Sequence, residues 1–423
     1  MKKIKKLTAL LWTLCFLFVY AQASNAEALA DIVLSLQLDN PIMEVNGVSA
    51  EIDPGRGTMP VVKDGRTLVP IRAIIEAFGG TVGWEEGTKA VILTIENTAI
   101  KLFIDSDVAY LNSEKEEIDT APTIINGRTM IPIRFVAEGF NIGVAWDASD
   151  KRVTLIRDSF TPEEYSRLMS MLPDYSTDAY AVINNNKPFF KDYEIIKGSF
   201  EYYSPLDDLG RCDVCFTSLA EDLMPREERE SISSVTPTGW INAKYDEVPG
   251  GYLYNRCHLI GYQLTGENAN ERNLITGTRY LNTTGMLPFE NKIADYAEEA
   301  GNRVMYRSTP VFTGNNLVAD GVLLEAFSVD DNGEDISFCV FCYNVQPKIN
   351  IDYATGASTK EDSAQSFPEY DSQPENAQGN KIYRTPTGER YHLDGQCGGK
   401  NSYETTLEEA TSSGLTPCRK CAL

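Results

Sequence analysis

Apolar and polar positions divide this chain into distinct stretches. Behind the lysine-rich start Met1-Lys2-Lys3-Ile4-Lys5-Lys6, the stretch Leu7 to Tyr20 runs apolar, and small residues follow at Ala21-Gln22-Ala23 and Ser24-Asn25-Ala26. A positive start, a short apolar core and small residues make residues 1–26 an export signal. An uncleaved anchor is the alternative, although the run is shorter than the roughly 20 residues that cross a bilayer. Cys15 lies inside the run behind Leu14, where a lipid-attachment site would carry a small residue.

The next pattern repeats. KDGRTLVPIRAIIEAFGGTVGWEEGTKAVILT, from Lys63, aligns without gaps on INGRTMIPIRFVAEGFNIGVAWDASDKRVTLI, from Ile125. Gly65, Arg66, Pro70, Arg72, Trp84 and Val91 recur as Gly127, Arg128, Pro132, Arg134, Trp146 and Val153, always 62 residues on. In each copy Asp-Gly or Asn-Gly predicts a hairpin turn. Proline then opens a short amphipathic helix, and an alternating strand follows. Two such units build one domain. The pair resembles the copper amine oxidase N-terminal module of exported bacterial proteins, over residues 33–157. The segment holds neither His nor Cys, so copper binding has no ligands there. A stalk or contact with the cell envelope is the reading that remains, with Arg72 and Arg134 in structural pairs.

Residues 158–178 read as a capped helix and linker, starting at Ser159-Phe160-Thr161-Pro162. A second polar stretch without periodicity, residues 356–380, reads as a disordered linker. Residues 179–355 between them have the size of one domain. They contain YNRCHLIG, Tyr254 to Gly261. Its alternation predicts a strand, with Tyr254, Arg256 and His258 on one face and Cys257 on the other. Adjacent Cys257 and His258 then cannot act as a thiolate-imidazole pair. A strand histidine is by default structural, and downstream residues change that balance. Asn273 begins a loop-rich stretch, Thr276 to Arg279 reads as a turn, Asn282 follows, and Pro288 opens a helix bearing Glu290.

This set resembles the ββα-metal (His-metal finger) non-specific DNA/RNA endonucleases, whose signature is Asp-Arg-Gly-His followed by Asn- and Glu-bearing helical segments. Here Asn255 replaces the Asp and Cys257 the Gly, while Arg256 and His258 are kept. The resemblance implies His258 as general base, Mg²⁺ or Mn²⁺ held by Asn282, Glu290 acting through the ion's waters, and Asn273 supporting the metal site. It also makes Arg256 and Arg279 candidates for the phosphate. The chemistry suits those residue types. Histidine titrates near neutral pH, so it can take the proton of an attacking water. Mg²⁺ keeps most of its waters and takes few protein oxygens. Each residue has a plainer role as well: Glu290 near a helix start is stabilising without metal, and Arg279 can anchor its turn.

The formal charge of −23 argues against indiscriminate clinging to anionic polymers. Between Arg256 and Arg307, however, six basic residues balance six acidic ones. A locally neutral segment predicts weak, salt-sensitive phosphate contacts that read no sequence.

Residues 381–423 hold the only other histidine, His392, with Cys397, Cys418 and Cys421. Three thiols and an imidazole, two thiols at Cys-x-x-Cys spacing, suit a tetrahedral zinc site, and two disulfides are the rival. Cys212, Cys215, Cys339 and Cys342 read as buried thiols or a disulfide between two segments, Cys339 and Cys342 facing opposite ways. The expectation is a multidomain α+β chain: a mixed β/α repeat module, a ββα-metal nuclease core on a central antiparallel sheet, and a small zinc-ribbon-like tail. Its expected function is a secreted or surface-associated endonuclease acting on DNA and/or RNA. The alternatives are a catalytically weak nucleic-acid-binding surface protein and a structural envelope protein.

Overall fold

The structure, a computed structural model, describes residues 31–299, 301–361, 382–385, 390–392, 397, 402–405, 410 and 415–418. The export signal, most of the second linker and Cys421 lie outside the described residues. The chain forms two units, Met1–Glu361 and Asp362–Leu423.

In the repeat, Asp64-Gly65 and Asn126-Gly127 turn with positive φ at all four residues (51°, 74°, 51° and 74°). That is the hairpin geometry expected of these pairs. The strands that follow, Arg66–Pro70 and Arg128–Pro132, pair antiparallel with Leu68 opposite Pro132 and Val69 opposite Ile131. The two copies therefore meet about their equivalent residues. Helices Ile71–Ala77 and Ile133–Gly139 start directly after the prolines and bury Ile71, Ile74 and Ile75, and Ile133, Val136 and Ala137. Each copy's tryptophan strand joins a five-stranded sheet, but the two sheets are completed from different places. The first takes Thr98–Phe103, Val108–Leu111 and Glu114–Glu117 downstream of it. The second takes Ile32–Gln37, Ile42–Val45 and Val48–Glu51 from before the repeat. Arg72 pairs with Glu76 at 3.6 Å on an exposed helix face.

The nuclease-like part is built on a six-stranded antiparallel sheet. Its strand order is Tyr180–Val182, Ser337–Tyr343, Gly321–Ser328, Val304–Val311, Cys215–Leu219, Phe200–Tyr203. Alternation sorts its side chains between two layers. Phe338, Val340 and Cys342 pack with Leu259, Leu281 and Ile293, whereas Cys339, Phe341 and Tyr343 pack with Leu168. Cys339 and Cys342 do face opposite ways, and Cys212, Cys215, Cys339 and Cys342 are all free thiols, so no disulfide joins the two segments.

Two boundaries differ from the sequence expectation. Thr161 caps helix Pro162–Met171 through a capping box, as its sequence predicts. That segment belongs to the fold rather than to a linker, because Leu168 is 2% exposed and Asp158 3%. Gly356 to Lys360, counted with the second linker, is likewise folded. Ser358–Lys360 pairs with Ile349–Ile351, and the Gly356 carbonyl accepts the Tyr254 hydroxyl at 3.1 Å.

The repeat module packs directly on the nuclease-like part. Val33, Ala145 and Ile156 share an apolar cluster with Phe200, Tyr202, Phe216 and Met305. A Cβ on Gly198 would lie 2.8 Å from the Trp146 backbone, so only glycine permits that approach.

Candidate active site

Strand Tyr254–His258 pairs with Leu274–Thr278. The turn expected at Thr276–Arg279 is therefore strand as far as Thr278, because Arg256 opposite Thr276 and Tyr254 opposite Thr278 continue the ladder. Tyr254, Arg256 and His258 line one cavity of about 680 Å³, and Cys257 points into the core, as the alternation implies. His258 is 6% exposed. Its Nε2 stands 2.9 Å from the Asn268 carbonyl. A carbonyl only accepts, so Nε2 carries the proton and Nδ1 keeps the lone pair. Nδ1 faces the Arg229 guanidinium at 3.4 Å. Burial first, and the Arg229 charge after it, push the imidazole down to about 4, so it is neutral at physiological pH.

Beyond the hairpin the chain turns into a helix earlier than its proline suggests. Leu281–Met286 form a widened π-type stretch that runs straight into Leu287–Ala297. Pro288 therefore sits within a continuing helical path, and Asn282 lies on its first turn. π-type bulges are frequent at functional sites because they re-aim a side chain. Asn282 and Glu290, eight residues apart and so about two turns, line the same cavity as His258. Glu290 is 8% exposed, and burial pushes its carboxyl up to about 8. Gly261 makes room for it, since a Cβ there would come within 3.0 Å of the Glu290 carboxyl.

Asn273 is not beside these oxygens. Its carboxamide is spent on both backbone groups of Ile260, accepting from N–H at 2.8 Å and donating to C=O at 3.0 Å. It fixes the segment after His258 and so supports the site from behind. Arg256 is also committed elsewhere. It donates to the Val235 and Ser233 carbonyls and stacks 4.5 Å from the Trp240 ring, anchoring the loop that forms the cavity's rim. Among the described residues the Arg279 side chain makes one hydrogen bond, to Asn255 Oδ1 at 3.3 Å, and Arg279 lines the cavity.

Arg229 was not visible in the sequence. It lies in an irregular polar stretch between Leu219 and Tyr254, where no periodicity or spacing marks one arginine among several charges. Its stacking 5.9 Å from the Tyr262 ring brings it to His258.

In the tail unit, ligand atoms of His392, Cys397 and Cys418 all lie within 4.8 Å of one another, and the two sulfurs are 3.6 Å apart. Strand Arg390–His392 carries the imidazole, and the Cys418 N–H donates to the Tyr391 carbonyl at 2.8 Å.

Residues 44–155 match the copper amine oxidase N-terminal domain family, and residues 191–329 match the DNA/RNA non-specific endonuclease family. Among solved structures, NucA from Streptococcus agalactiae with magnesium ion bound is 24% identical, with TM-score 0.41, over 48% of this chain and 97% of that one. The Sda1 nuclease with bound zinc ion is 27% identical, with TM-score 0.37, over 43% and 97%. An extracellular endonuclease is 23% identical, with TM-score 0.31, over 44% and 100%. Among the described residues no helix is long and apolar enough to cross a membrane. With the matched segment enclosing the whole cavity described above, residues 191–329 form a DNA/RNA non-specific endonuclease domain, and the chain is a hydrolytic endonuclease that carries a copper amine oxidase N-terminal domain in front.

Proposed function

We propose that the protein is an exported, divalent-metal-dependent nuclease in which His258 Nδ1 takes the proton from water attacking a phosphodiester. The observation that carries this reading is the convergence of a neutral imidazole, a carboxamide and a buried carboxyl on one cavity. The donor set suits a hard ion. Asn282 offers a carbonyl oxygen, and Glu290 a buried carboxyl whose pKa burial raises. Asn282 would hold Mg²⁺ directly and Glu290 would hold its waters. When bound, the ion supplies counter-charge to the phosphate oxygens. The rest falls to the protein. The Asn268 carbonyl fixes the His258 tautomer, Asn273 fixes the backbone behind it, and Arg229 and Arg279 meet the phosphate as donors. Arg256 serves by holding the rim. No base-reading groups are needed, which fits cleavage without sequence preference.

Asn282→Ala is expected to raise the Mg²⁺ concentration needed for half-maximal rate by at least about tenfold. Because the metal-free Glu290 carboxyl titrates near 8, taking up Mg²⁺ at pH 7 releases a proton. The Mg²⁺ dissociation constant should therefore tighten as pH rises toward 8, and a pH-independent constant would remove Glu290 from the metal's shell. Full activity in EDTA would remove the metal from the reading.

The tail we read as a zinc site of His392, Cys397, Cys418 and Cys421. Two thiolates at ~2.3 Å from a tetrahedral ion stand about 3.7 Å apart, close to the 3.6 Å between Cys397 and Cys418. The full chain should hold about one zinc by metal analysis, consistent with one such site. Cys397→Ser with Cys418→Ser should remove the zinc and leave nuclease activity standing. Oxidised, disulfide-bonded tail cysteines in purified protein would overturn the zinc reading alone. Export fits the lysine-rich, apolar start, and contact with the cell envelope is the role we give the repeat module.

A further inference from the structure

The side of the His258 strand that faces away from the cavity carries Cys257, and this thiol is not idle. Its Sγ stands 3.2 Å from Asn282 Oδ1, across 25 residues of sequence. Cys257 is fully buried, among Leu259, Leu281 and Met286, with Met286 Sδ 3.6 Å from it. A dry, apolar setting keeps a thiol in its neutral S–H form, and a carboxamide oxygen only accepts. The proton therefore lies on sulfur, and the thiol donates to the oxygen.

The space for this contact is built by a neighbour. A Cβ on Gly277 would lie 2.6 Å from the Cys257 Cβ and 3.2 Å from its sulfur. Any larger residue at 277 would displace the thiol. The widened helical stretch Leu281–Met286 supplies the other half, bringing Asn282 onto the turn next to the hairpin. Its start is fixed by the Thr278 hydroxyl, which accepts from the Leu281 N–H at 2.9 Å.

We propose that Cys257 is a positioning residue for the nuclease centre, its buried thiol donating a hydrogen bond that orients the Asn282 carboxamide so that the remaining lone pair of Oδ1 faces the cavity. A carbonyl oxygen has two acceptor directions, so one can take the thiol while the other takes a cation. This assignment rests on the reading of Asn282 as the metal-holding carboxamide. Without the thiol the amide turns about its last side-chain torsion, which is broad and roughly two-fold, and can present N–H₂ to the cavity. Partners that orient a ligand characteristically change metal affinity by 10–100-fold.

The test uses the full-length chain and Mg²⁺ alone, titrated calorimetrically without nucleic acid, with thermal unfolding recorded for each variant. Cys257→Ala should raise the Mg²⁺ dissociation constant roughly tenfold, and Cys257→Ser, which keeps a donor, should recover most of that loss. In an Asn282→Ala background the same Cys257→Ala change should have no further effect, because the thiol acts only through that amide. Saturating Mg²⁺ should restore the turnover of Cys257→Ala, as a purely structural defect would not allow. Should the alanine variant fail to fold, Cys257→Val, apolar and of similar size, replaces it in the same cycle. Mg²⁺ affinity unchanged in Cys257→Ala, or weakened equally with and without Asn282, overturns the assignment while leaving the metal-dependent nuclease intact. A wild-type chain that takes up no Mg²⁺ at all overturns both.

Discussion

Replacing His258 by alanine should lower the rate of plasmid cleavage by at least ~10²-fold, the lower range of what a positioned base contributes. The loss should appear with little change in thermal unfolding, because His258 borders the cavity and its removal leaves no buried charge unpaired. Among the described residues it is the one histidine of the nuclease-like part, and so the one imidazole on the cavity wall. A variant cleaving at near-native rate would rule His258 out as the base. The same residue gives a pH signature. Burial lowers the imidazole to about 4 in the free protein. The acid limb of kcat/KM, which reports the free enzyme, should therefore fall well below the ordinary histidine value of about 6.5. An anionic phosphodiester in the cavity favours the protonated imidazole, so the limb in kcat should lie at higher pH. Stability follows the sign of the shift. A histidine whose pKa is lowered on folding contributes stability above about 6.5, and that contribution is lost as pH falls toward 4. Coincident acid limbs in kcat and kcat/KM would show that substrate charge does not reach the base.

Arg307→Met should cost about 3–5 kcal/mol of stability, the penalty for leaving buried charge without its partner. Arg307 is 4% exposed and meets three carboxylates: Asp158 at 3.1 Å, Glu194 at 3.0 Å and Glu325 at 2.9 Å. Phe190 stacks on its guanidinium at 4.8 Å. Asp158 directly follows the strand Arg152–Arg157 that closes the repeat module, so the cluster ties that module to the central sheet of the nuclease. One guanidinium cannot balance three carboxylates, and burial pushes Glu194 up to about 7 and Asp158 upward too. A carboxyl raised on folding stabilises when protonated, so its contribution is complete below its unfolded value of about 4.5 and fades as pH rises through 7. Thermal unfolding should show the variant melting roughly 10 °C lower, and the wild type losing stability between pH 5 and pH 8. A variant with an unchanged melting temperature would mean that water reaches the cluster and solvates the carboxylates.

The domain assignments also separate two kinds of signal. The repeat was legible because identical residues at a fixed spacing serve identical turns, as in Asp64-Gly65 and Asn126-Gly127. The hairpin strand was legible because alternation of side chains has one physical meaning. The helix start near Pro288 is not legible in sequence because proline is tolerated on a first helical turn, and nothing local distinguishes that turn from a π-type stretch entered seven residues before the proline. Thr276 to Arg279 read as a turn for a similar reason: a glycine between threonines is a turn signal locally, whereas Gly277 is there to leave room for Cys257 across the ladder.

By itself the sequence determined which residues could do chemistry: a single histidine in the central block, an Asn and a Glu downstream of it, and a Cys/His set at the end. Periodicity and residue type are local properties, and local properties survive in a string. What the tertiary structure decided was which of these groups meet. It joined Asn282 and Glu290 to His258 and turned Asn273 and Arg256 to support. It drew Arg229 from an irregular loop, set the Cys257 thiol against Asn282, and closed the second repeat with residues 32–51 from before the first. Each of those contacts joins residues that neither lie side by side in the chain nor share a repeating pattern. They form because apolar faces of distant segments are buried together, and that burial brings polar groups into contact that no local rule relates.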